Sequence, residues 1–397
     1  MPESRARVLL VHNYYQQPGG EDEVFRGEGA MLEARGHAVW SYTRRNDDLE
    51  SIGAVTRARL TMWNQATYRE LRTLLRQVRP DVMHVHNTLP LVSPAAYYAA
   101  RAEGVAVVQT LHNYRLICPS ATLYRDGRPC EDCVGKAMPW PGVVHACYRD
   151  SWAASAGVAA LLAVHRAAGT WKRAIDAYIA LTEGMREILV AGGLPADRVC
   201  VKPNFVNHDP GVGERRGGYM LFVGRLTEVK GVQTLLDAWR LLDSPIPLKV
   251  VGDGSLRSAV TAAARSQQNI EWLGQQERDR VQQLMRDAYA LIFPSVWYEP
   301  FSLVVLEALA AGVPVIGSNL GSVASVVQHE QTGLHFAAGE PQSLADAAMH
   351  AWRMPEAMAL MARRAREEYA AKYTPETNYQ MLIDIYAKAV AHSRRGV

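Results

Sequence analysis

The sequence predicts an α/β protein built from two doubly wound domains of similar size. Short apolar runs alternate with amphipathic helical segments along the chain, which is typical of parallel sheets covered by helices. The alternation stops in a stretch rich in Gly, Pro and Asn at residues 206–218 and then starts again. A length of 397 residues also suits two or three domains better than one.

The first domain, with the segment that leads into the second, covers residues 1–208 and is predicted to hold five short strands. They are expected at Val8–Val11, Ala38–Tyr42, Val82–His86, Val105–Thr110 and Tyr178–Leu181. Helices are expected at Asp22–Arg35, in one long polar segment that ends at Arg79 before Pro80, and at Trp152–Trp171.

The second domain covers residues 209–372 and repeats the pattern. Its strands are expected at Met220–Val223, Leu248–Val251, Ile270–Leu273, Leu291–Phe293 and Val313–Ile316. A last helix at 373–397 has no obvious strand partner, and we expect it to pack back on the first domain. Since ligands of such sheets bind beyond the carboxyl ends of the strands, the loops there are the place to look for chemistry.

Composition excludes several classes of protein. Apolar residues make up 48% and charged residues 21%, which argues against a disordered chain. A net charge of +3, from 43 basic and 40 acidic residues, gives no support to nucleic-acid binding. The apolar run Val8–Val11 is too short for a signal peptide, and no stretch approaches the roughly 20 residues that span a bilayer. We therefore expect a cytoplasmic protein.

Several familiar motifs are missing from the sequence. No G-x-G-x-x-G follows the first strand, and no G-x-x-x-x-G-K-[ST], H-E-x-x-H or G-x-S-x-G occurs. A dehydrogenase, a P-loop NTPase, a zincin and an α/β-hydrolase are thereby disfavoured.

Two carboxylates in the segment EPFSLVVLE form the first candidate site. A helix is expected to begin near Ser302, with Glu299 in the loop before it and Glu307 two turns into it. Free amides at the helix N-terminus suit an anion such as a diphosphate, and carboxylates bind the hydroxyl pairs of a sugar or ribose. Taken alone, such a pair more often has a structural explanation, in which Glu299 is solvated and Glu307 pairs with a neighbouring helix.

Two cations in VGRLTEVKG strengthen the functional interpretation. Arg225 lies just past a predicted strand, and Lys230 lies at the start of the next helix. Two cations at one sheet edge can clamp a diphosphate and neutralise its charge as it leaves. Each alone would be interpreted as a surface charge, but together with VGDG at Val251–Gly254 and the acid pair they favour a binding site.

This set of motifs resembles the retaining GT-B glycosyltransferases of family 4, also called group 1, of the bacterial polysaccharide and glycolipid type. The resemblance rests on VGRLTEVKG, VGDGSL, PSVWYEPFSLVVLEALAAGVPVIGSNLGS, TGLHF, the N-terminal GG before EDE, and KPNFVN. It covers nearly the whole chain. It implies a GT-B fold, in which two Rossmann-like domains face an interdomain cleft.

The resemblance also assigns roles to individual residues. The catalytic set would be Arg225 and Lys230 on the donor diphosphate, Glu299 on the hydroxyls of the donor sugar, and His112, in TLHN, on the same sugar. The remaining donor contacts would come from the ribose-binding carboxylate, the amides of the helix start and a glycine pair after the first strand: Glu307, Ser302, Leu303, Val304, Gly19 and Gly20. Glycines there would let the backbone approach the donor closely.

The implied reaction moves a hexose from a UDP- or GDP-linked donor to a glycan or lipid-linked acceptor. The acceptor hydroxyl would approach on the face that the diphosphate leaves, and a phosphate oxygen would take the proton. Cations would then replace a divalent metal, so no catalytic cofactor is expected. Two alternatives stay open: a nucleotide-sugar hydrolase or epimerase on the same fold, and a non-catalytic nucleotide-sugar-binding protein.

Four cysteines lie close together in a predicted insertion at about 113–150. The spacing of Cys118, Cys130, Cys133 and Cys147 includes a C-x2-C pair that suits one side of a tetrahedral thiolate site. Because the insertion has few apolar residues, we expect a structural Zn²⁺ to order it, with His145 as an alternative ligand. Unligated thiols, disulfides and a cluster cofactor are the alternatives.

Membrane association is suggested by basic residues mixed with tryptophan. One group is Arg44, Arg45, Arg57, Arg59 and Arg69 with Trp63, and another is Trp152, Trp171, Lys172 and Arg173. Such a surface can dock on anionic lipid, which would place the protein at the inner face of the cell membrane. A solvated helix face explains the pattern equally well.

Overall fold

The computed structural model describes residues 5–16, 19–49, 52–213 and 218–395, and it divides them into two compact units. The first unit comprises residues up to 122, residues 131–203 and residues from 378 onward. The second unit comprises residues 123–130 and 204–377. Each unit is built around one six-stranded sheet.

The strands are numbered in chain order. They are β1 (Arg7–Tyr14), β2 (Ala38–Arg45), β3 (Val82–Val85), β4 (Ala106–Thr110), β5 (Tyr124–Arg125), β6 (Arg128–Pro129), β7 (Ala177–Ala180), β8 (Val199–Val201), β9 (Met220–Val223), β10 (Leu248–Val251), β11 (Ile270–Gly274), β12 (Ala290–Phe293), β13 (Val315–Ser318) and β14 (Gly333–Phe336).

The α-helices are numbered in the same way. They are α1 (Gly20–Ala34), α2 (Ala54–Met62), α3 (Gln65–Val78), α4 (Ala95–Ala102), α5 (Trp140–Val144), α6 (Trp152–Ala167), α7 (Thr170–Arg173), α8 (Glu183–Ala191), α9 (Val232–Arg240), α10 (Arg257–Ser266), α11 (Arg278–Asp287), α12 (Leu303–Ala310), α13 (Gly321–Val326), α14 (Pro341–Arg353), α15 (Pro355–Lys372) and α16 (Pro375–Arg395).

The sheet of the first unit is parallel throughout, in the order β2-β1-β3-β4-β7-β8. Its central strands β3 and β4 are buried at every residue, as expected for a sheet with helices on both faces. The order reverses at β1, where the chain leaves for β2 on one side and returns to β3 on the other. Loops at the carboxyl ends of β1 and β3 therefore adjoin a topological switch point.

The prediction of one long polar helix before Pro80 is wrong, because Asn64 interrupts it. The Asn64 side chain accepts hydrogen bonds from the amides of Ala66 and Thr67, at 3.1 and 3.2 Å, and so starts α3 as an N-cap. The predicted helix Trp152–Trp171 is likewise divided, since Gly169 adopts a φ of 71° between α6 and α7.

The sheet of the second unit is parallel too, in the order β11-β10-β9-β12-β13-β14. Apolar side chains of its strands pack on both faces against the flanking helices. Five of the six strands lie where the sequence predicts them, with bounds shifted by two residues at most. The sequence did not predict the edge strand β14 or, in the first unit, the strand β8. The order reverses at β9, between β10 and β12.

Helix α16 packs against the first unit, to which residues from 378 onward belong. Its Tyr386 hydroxyl lies 2.8 Å from Nδ1 of His84, and its Tyr379 hydroxyl lies 2.8 Å from Nε2 of His37. Buried apolar residues of the helix, among them Leu382 and Ile385, add to these contacts.

Candidate functional site

The loop after β9 is held against the loop after β12 in the second unit. Gly231 ends the short 3₁₀ turn Glu228–Lys230 with a φ of 68°. A Cβ atom at Gly231 would lie 1.7 Å from the carbonyl oxygen of Pro294, so only glycine fits there. The amide of Val296 donates to the carbonyl of Val229 at 3.0 Å and joins the same two loops.

Lys230 and Glu299 form an ion pair at this switch point. The Lys230 Nζ lies 2.7 Å from both carboxylate oxygens of Glu299. The carboxylate also accepts from Trp297 Nε1 at 2.9 Å and from the Ser295 hydroxyl at 3.3 Å. Glu299 is only 8% exposed, so its charge is fixed in place by these four contacts. Arg225, on the same loop as Lys230, is exposed to solvent.

Helix α12 begins at Leu303, directly after the buried N-cap Ser302. The Ser302 hydroxyl accepts from the amide of Val305 at 3.4 Å. The amides of Leu303 and Val304 lie in the first turn, where backbone donors have no partner within the helix. Glu307 is the fifth helical residue, one turn into the helix rather than the two turns expected.

The predicted glycine pair lies at the start of α1 in the first unit. Gly19 is the N-cap, and its amide donates to Asp22 Oδ2 at 2.9 Å while its carbonyl accepts from the amide of Asp22 at 3.1 Å. A Cβ atom at Gly19 would meet no atom of the described residues within 4 Å. Gly20 is the first helical residue and is exposed. Glu21, Asp22 and Glu23 lie in the first turn, where acidic side chains favour the positive end of the helix.

His112 lies two residues after the end of β4 and contacts a second histidine. Its Nε2 lies 3.1 Å from Nδ1 of His86, and the two rings are stacked with centroids 5.3 Å apart. Desolvation and the nearby His86 lower the pKa of His112 well below its ordinary value. His112 is therefore neutral at physiological pH and offers one donor and one acceptor nitrogen.

A buried charge pair that no sequence motif indicated lies beneath His86. Lys202 and Glu28 are both fully buried, with Nζ 2.6 Å from Oε1. Lys202 also donates to Asn378 Oδ1 at 3.0 Å. Burial acts to raise the pKa of Glu28, but Lys202 and the histidines hold it well below the ordinary value, so the carboxylate is ionised. The available signal was H-V-H at the end of an apolar strand, where the two-residue spacing of His84 in β3 and His86 just after it favours one face of the sheet.

Two groups of side chains have three metal-ligand atoms within reach of one another in the described part of the chain: Glu28, His84 and His86, and His12, Glu21 and Asp22. The first does not suit a cation, because Lys202 already neutralises Glu28. Both nitrogens of His84 are also used, by Thr110 and Tyr386, each at 2.8 Å. In the second group, His12 Nε2 lies 2.7 Å from Asp22 Oδ1.

The cysteines form no such three-ligand group among the described residues. Cys118 Sγ lies 3.1 Å from the Ser120 hydroxyl, and Cys133 Sγ lies 3.8 Å from the carbonyl of Pro139. Cys130 falls in the second unit and the other three in the first. A zinc site made of all four stays a prediction.

The insertion buries more apolar surface than its composition suggests. Tyr114, Ile117 and Leu123 are each 1% exposed, and Leu116 is 7% exposed. Buried apolar side chains therefore contribute to the packing of the insertion, and its ordering by zinc stays a prediction.

Of the tryptophans considered for a membrane surface, only Trp152 is strongly exposed, at 71%. Trp171 is buried at 5%, and Trp63 packs against Tyr68 and Tyr98. Among the described residues, no helix is both long enough and apolar enough to cross a membrane.

Two family models together match nearly all of the chain. The model "Glycosyltransferase Family 4" matches residues 19–210, and "Glycosyl transferases group 1" matches residues 212–368. The D-rhamnosyltransferase WbpZ of Pseudomonas aeruginosa is 32% identical over 160 residues, which are 39% of this chain and 42% of that protein. The matches to such curated relatives span less than half of their length.

Solved structures resemble the chain over almost its entire length. Sucrose-phosphate synthase from Thermosynechococcus elongatus has a TM-score of 0.72 at 18% identity, covering 98% of this chain and 100% of that one. Anabaena HepE in complex with UDP has a TM-score of 0.68 at 16% identity, covering 96% and 99%. These likenesses confirm the fold class predicted from the sequence.

Proposed function

Because the chain belongs to the glycosyltransferases of family 4 and group 1 and has their GT-B fold, we propose that it is a retaining hexosyltransferase that uses a UDP- or GDP-linked donor. The observation that carries the proposal is the Lys230–Glu299 pair at the switch point of the second unit. It places a cation for a phosphate beside a carboxylate for hydroxyl groups. The UDP bound to HepE, a protein of the same fold, supports a uridine nucleotide among the candidates.

Lys230 can serve the diphosphate while it stays paired. An ammonium has three N–H groups, and Glu299 accepts at most two of them, which leaves a donor for a phosphate oxygen. The exposed Arg225 on the same loop supplies a planar fork that matches phosphate. The amides of Leu303 and Val304 add the positive end of a helix. These groups stabilise the charge that builds up as the diphosphate leaves.

Glu299 and Glu307 are assigned to hydroxyl groups of the donor. The Glu299 carboxylate accepts from Trp297 and Ser295 and so keeps one orientation, which suits bidentate binding of a sugar diol. Glu307 on α12 is assigned to the ribose. His112 of the first unit, neutral by the direction of its pKa, is assigned a hydroxyl of the donor sugar.

Retention of the anomeric configuration needs no nucleophile from the protein. The acceptor hydroxyl attacks the anomeric carbon on the face that the diphosphate leaves, and a phosphate oxygen takes its proton. The protein positions both substrates and neutralises the leaving group without a divalent ion. We propose a glycan or lipid-linked acceptor, as in polysaccharide or glycolipid assembly.

Product analysis tests transfer against its rivals. The protein would be incubated with UDP-glucose, UDP-galactose, UDP-N-acetylglucosamine and GDP-mannose, with and without a detergent extract of lipid-linked glycans. We expect nucleoside diphosphate release that depends on the extract, together with a product whose anomeric proton coupling in NMR matches that of the donor. Equal release without the extract would show a hydrolase, and binding without turnover would show a sugar-nucleotide-binding protein.

We also propose that the enzyme docks on anionic membranes through α2, α5 and α6. These helices expose three large apolar side chains, Val55 at 85%, Trp140 at 54% and Trp152 at 71%. The exposed cation Arg59 lies on α2, and Lys136 Nζ lies 5.8 Å from the ring centroid of Trp140. Amphipathic surfaces of this kind bind acidic lipids. Cosedimentation with phosphatidylglycerol vesicles should fall several-fold in Trp152→Ser and stay low with phosphatidylcholine. Equal sedimentation of wild type and variant would contradict the docking surface.

A further inference from the structure

Four side chains of the first unit form a row that ends at His112. Lys202 Nζ lies 2.6 Å from Glu28 Oε1, and Glu28 Oε2 lies 3.4 Å from His86 Nε2. His86 Nδ1 in turn lies 3.1 Å from His112 Nε2. The row crosses the unit from the residue after β8, through α1 and the residue after β3, to the loop after β4. Since each imidazole nitrogen is either a donor or an acceptor, the state of one end decides the state of the other.

The buried end of the row is an acceptor. Glu28 is fully buried and ionised, because Lys202 lies against one oxygen, and an ionised carboxylate only accepts hydrogen bonds. The second oxygen, Oε2, has no aligned hydrogen-bond partner among the described residues. His84 does not supply one, although its Nδ1 lies 3.6 Å away, because both of its nitrogens pair with hydroxyls of Thr110 and Tyr386.

His86 Nε2 is also buried, and no described residue offers it an aligned hydrogen-bond partner. It faces Glu28 Oε2. Leaving both atoms unsatisfied would be costly, so the hydrogen of His86 resides on Nε2 and is directed at the carboxylate. Because Lys202 already balances the charge of Glu28, a single hydrogen on His86 Nε2 satisfies the remaining carboxylate oxygen. His86 Nδ1 is therefore an acceptor.

The acceptor at His86 fixes the far end of the row. His112 Nε2, at 3.1 Å from that atom, must carry the hydrogen, which leaves Nδ1 of His112 as a lone-pair acceptor. We propose that Glu28 and His86 are positioning residues that hold His112 in this tautomer, so that its Nδ1 accepts a hydrogen bond from a hydroxyl of the donor sugar. The role of His112 toward the sugar rests on the proposed function, whereas its tautomer does not.

The first test reads the tautomers directly. The full-length protein would be labelled with ¹⁵N-histidine and recorded at neutral pH without ligand, with His86 and His112 assigned by substitution. We expect both to show a protonated Nε2 and a bare Nδ1. His112 with its hydrogen on Nδ1, or a doubly protonated His86, would overturn the proposal whether or not the protein proves to be a transferase.

The second test breaks the row at its buried end. In the double variant Glu28→Gln and Lys202→Met, the amide can turn either its oxygen or its NH₂ toward His86. We expect His112 to lose its single tautomer. His84→Gln is the matched control, since it alters an equally buried histidine two residues away and should leave the His112 signals in place. If His112 kept its single tautomer in the double variant, Glu28 would not set that tautomer through the row.

Kinetics test the positioning role of His86 separately from the proposed transferase activity. With a donor that wild type uses, we expect His86→Leu to lower kcat/KM about tenfold through the loss of one oriented hydrogen bond, with a smaller effect in His84→Gln. Unchanged kcat/KM in His86→Leu would overturn the positioning role. If wild type turned over no donor, the proposed function would fail, while the NMR result would still decide the tautomer.

Discussion

Lys230 is the residue at which a single substitution tests the donor site. Its ammonium contacts both oxygens of Glu299, and the two loops that bring them together follow neighbouring strands. The sequence singled out Lys230 only through the combination of VGRLTEVKG with VGDG and the acid pair, because a lone cation after a strand would be interpreted as a surface charge. The sequence did not reveal that Glu299 pairs with it, since that contact spans 69 residues.

Lys230→Met should strongly reduce nucleotide-sugar turnover while the fold persists. We expect kcat to fall by about 10²–10³, the range seen when a group that stabilises developing charge is removed. Lys249→Met is the control, because Lys249 has a similar side-chain exposure, 27% against 23%, and pairs with Glu271 on the neighbouring strand. Steady-state kinetics and melting curves of both variants measure this. Near-normal turnover in Lys230→Met would contradict the phosphate clamp.

Glu21 should make the stability of the protein depend on pH. Desolvation, with the nearby Asp22, raises the pKa of Glu21 to about 8. Between its ordinary value near 4.5 and 8, the folded chain thus holds a proton that the unfolded chain has lost. The Glu21 contribution to the free energy of unfolding must therefore fall as pH rises through this window.

Glu21→Gln removes that titration. Urea unfolding at pH 5 and pH 9 should show a smaller loss of stability with rising pH in the variant than in wild type. Glu23→Gln, in the same helical turn, serves as the control. Parallel pH profiles for wild type and Glu21→Gln would show that Glu21 titrates normally.

At the scale of elements, the strands were easier to predict than the helices. Strands such as β9 and β10 are short, apolar and bounded by Gly or Pro, so composition alone marks them. The break between α2 and α3 depends on a side-chain cap at Asn64, which a polar helical pattern conceals. The edge strand β14 has Gly333 and His335 among its four residues, so its apolar signal is weak.

Gly231 is the position where an element and the site depend on each other most closely. Gly231→Ala should destabilise the protein by about 3 kcal/mol or more, since it adds left-handed strain to a contact with the Pro294 carbonyl. Turnover should fall as well, because the displaced turn carries Lys230. In contrast, Gly184→Ala lies in α8 with open space around it and should stabilise by about 0.5 kcal/mol or more. Chemical denaturation of both variants measures the difference. Equal stability of Gly231→Ala and wild type would contradict this close approach.

At the scale of the whole molecule, the buried network ties distant parts of the chain into the first unit. Lys202 after β8 joins Glu28 on α1 and Asn378 on α16, across 174 and 176 residues of sequence. No local pattern could predict these contacts, because charged side chains are interpreted as surface residues until the fold buries them. The alternating strands and helices did predict the two sheets, since each segment has its own period.

Lys202→Met should destabilise the first unit by about 3–5 kcal/mol, because it leaves the Glu28 carboxylate buried and uncompensated. The double variant Glu28→Gln and Lys202→Met should recover much of this loss. Equilibrium unfolding in urea gives both values. If the single and double variants were equally unstable, the charge of Glu28 would not be the cause.

Binding of a nucleotide sugar to the second unit through Lys230 is the step on which the proposed function depends. Calorimetric titration of wild type, Lys230→Met and Lys249→Met with UDP-, GDP-, ADP- and TDP-sugars measures it directly. We expect donors of one nucleotide base to bind wild type and Lys249→Met with similar affinity and to bind Lys230→Met at least about tenfold more weakly. Undiminished binding to Lys230→Met, or no binding of any donor to wild type, would contradict this role of Lys230.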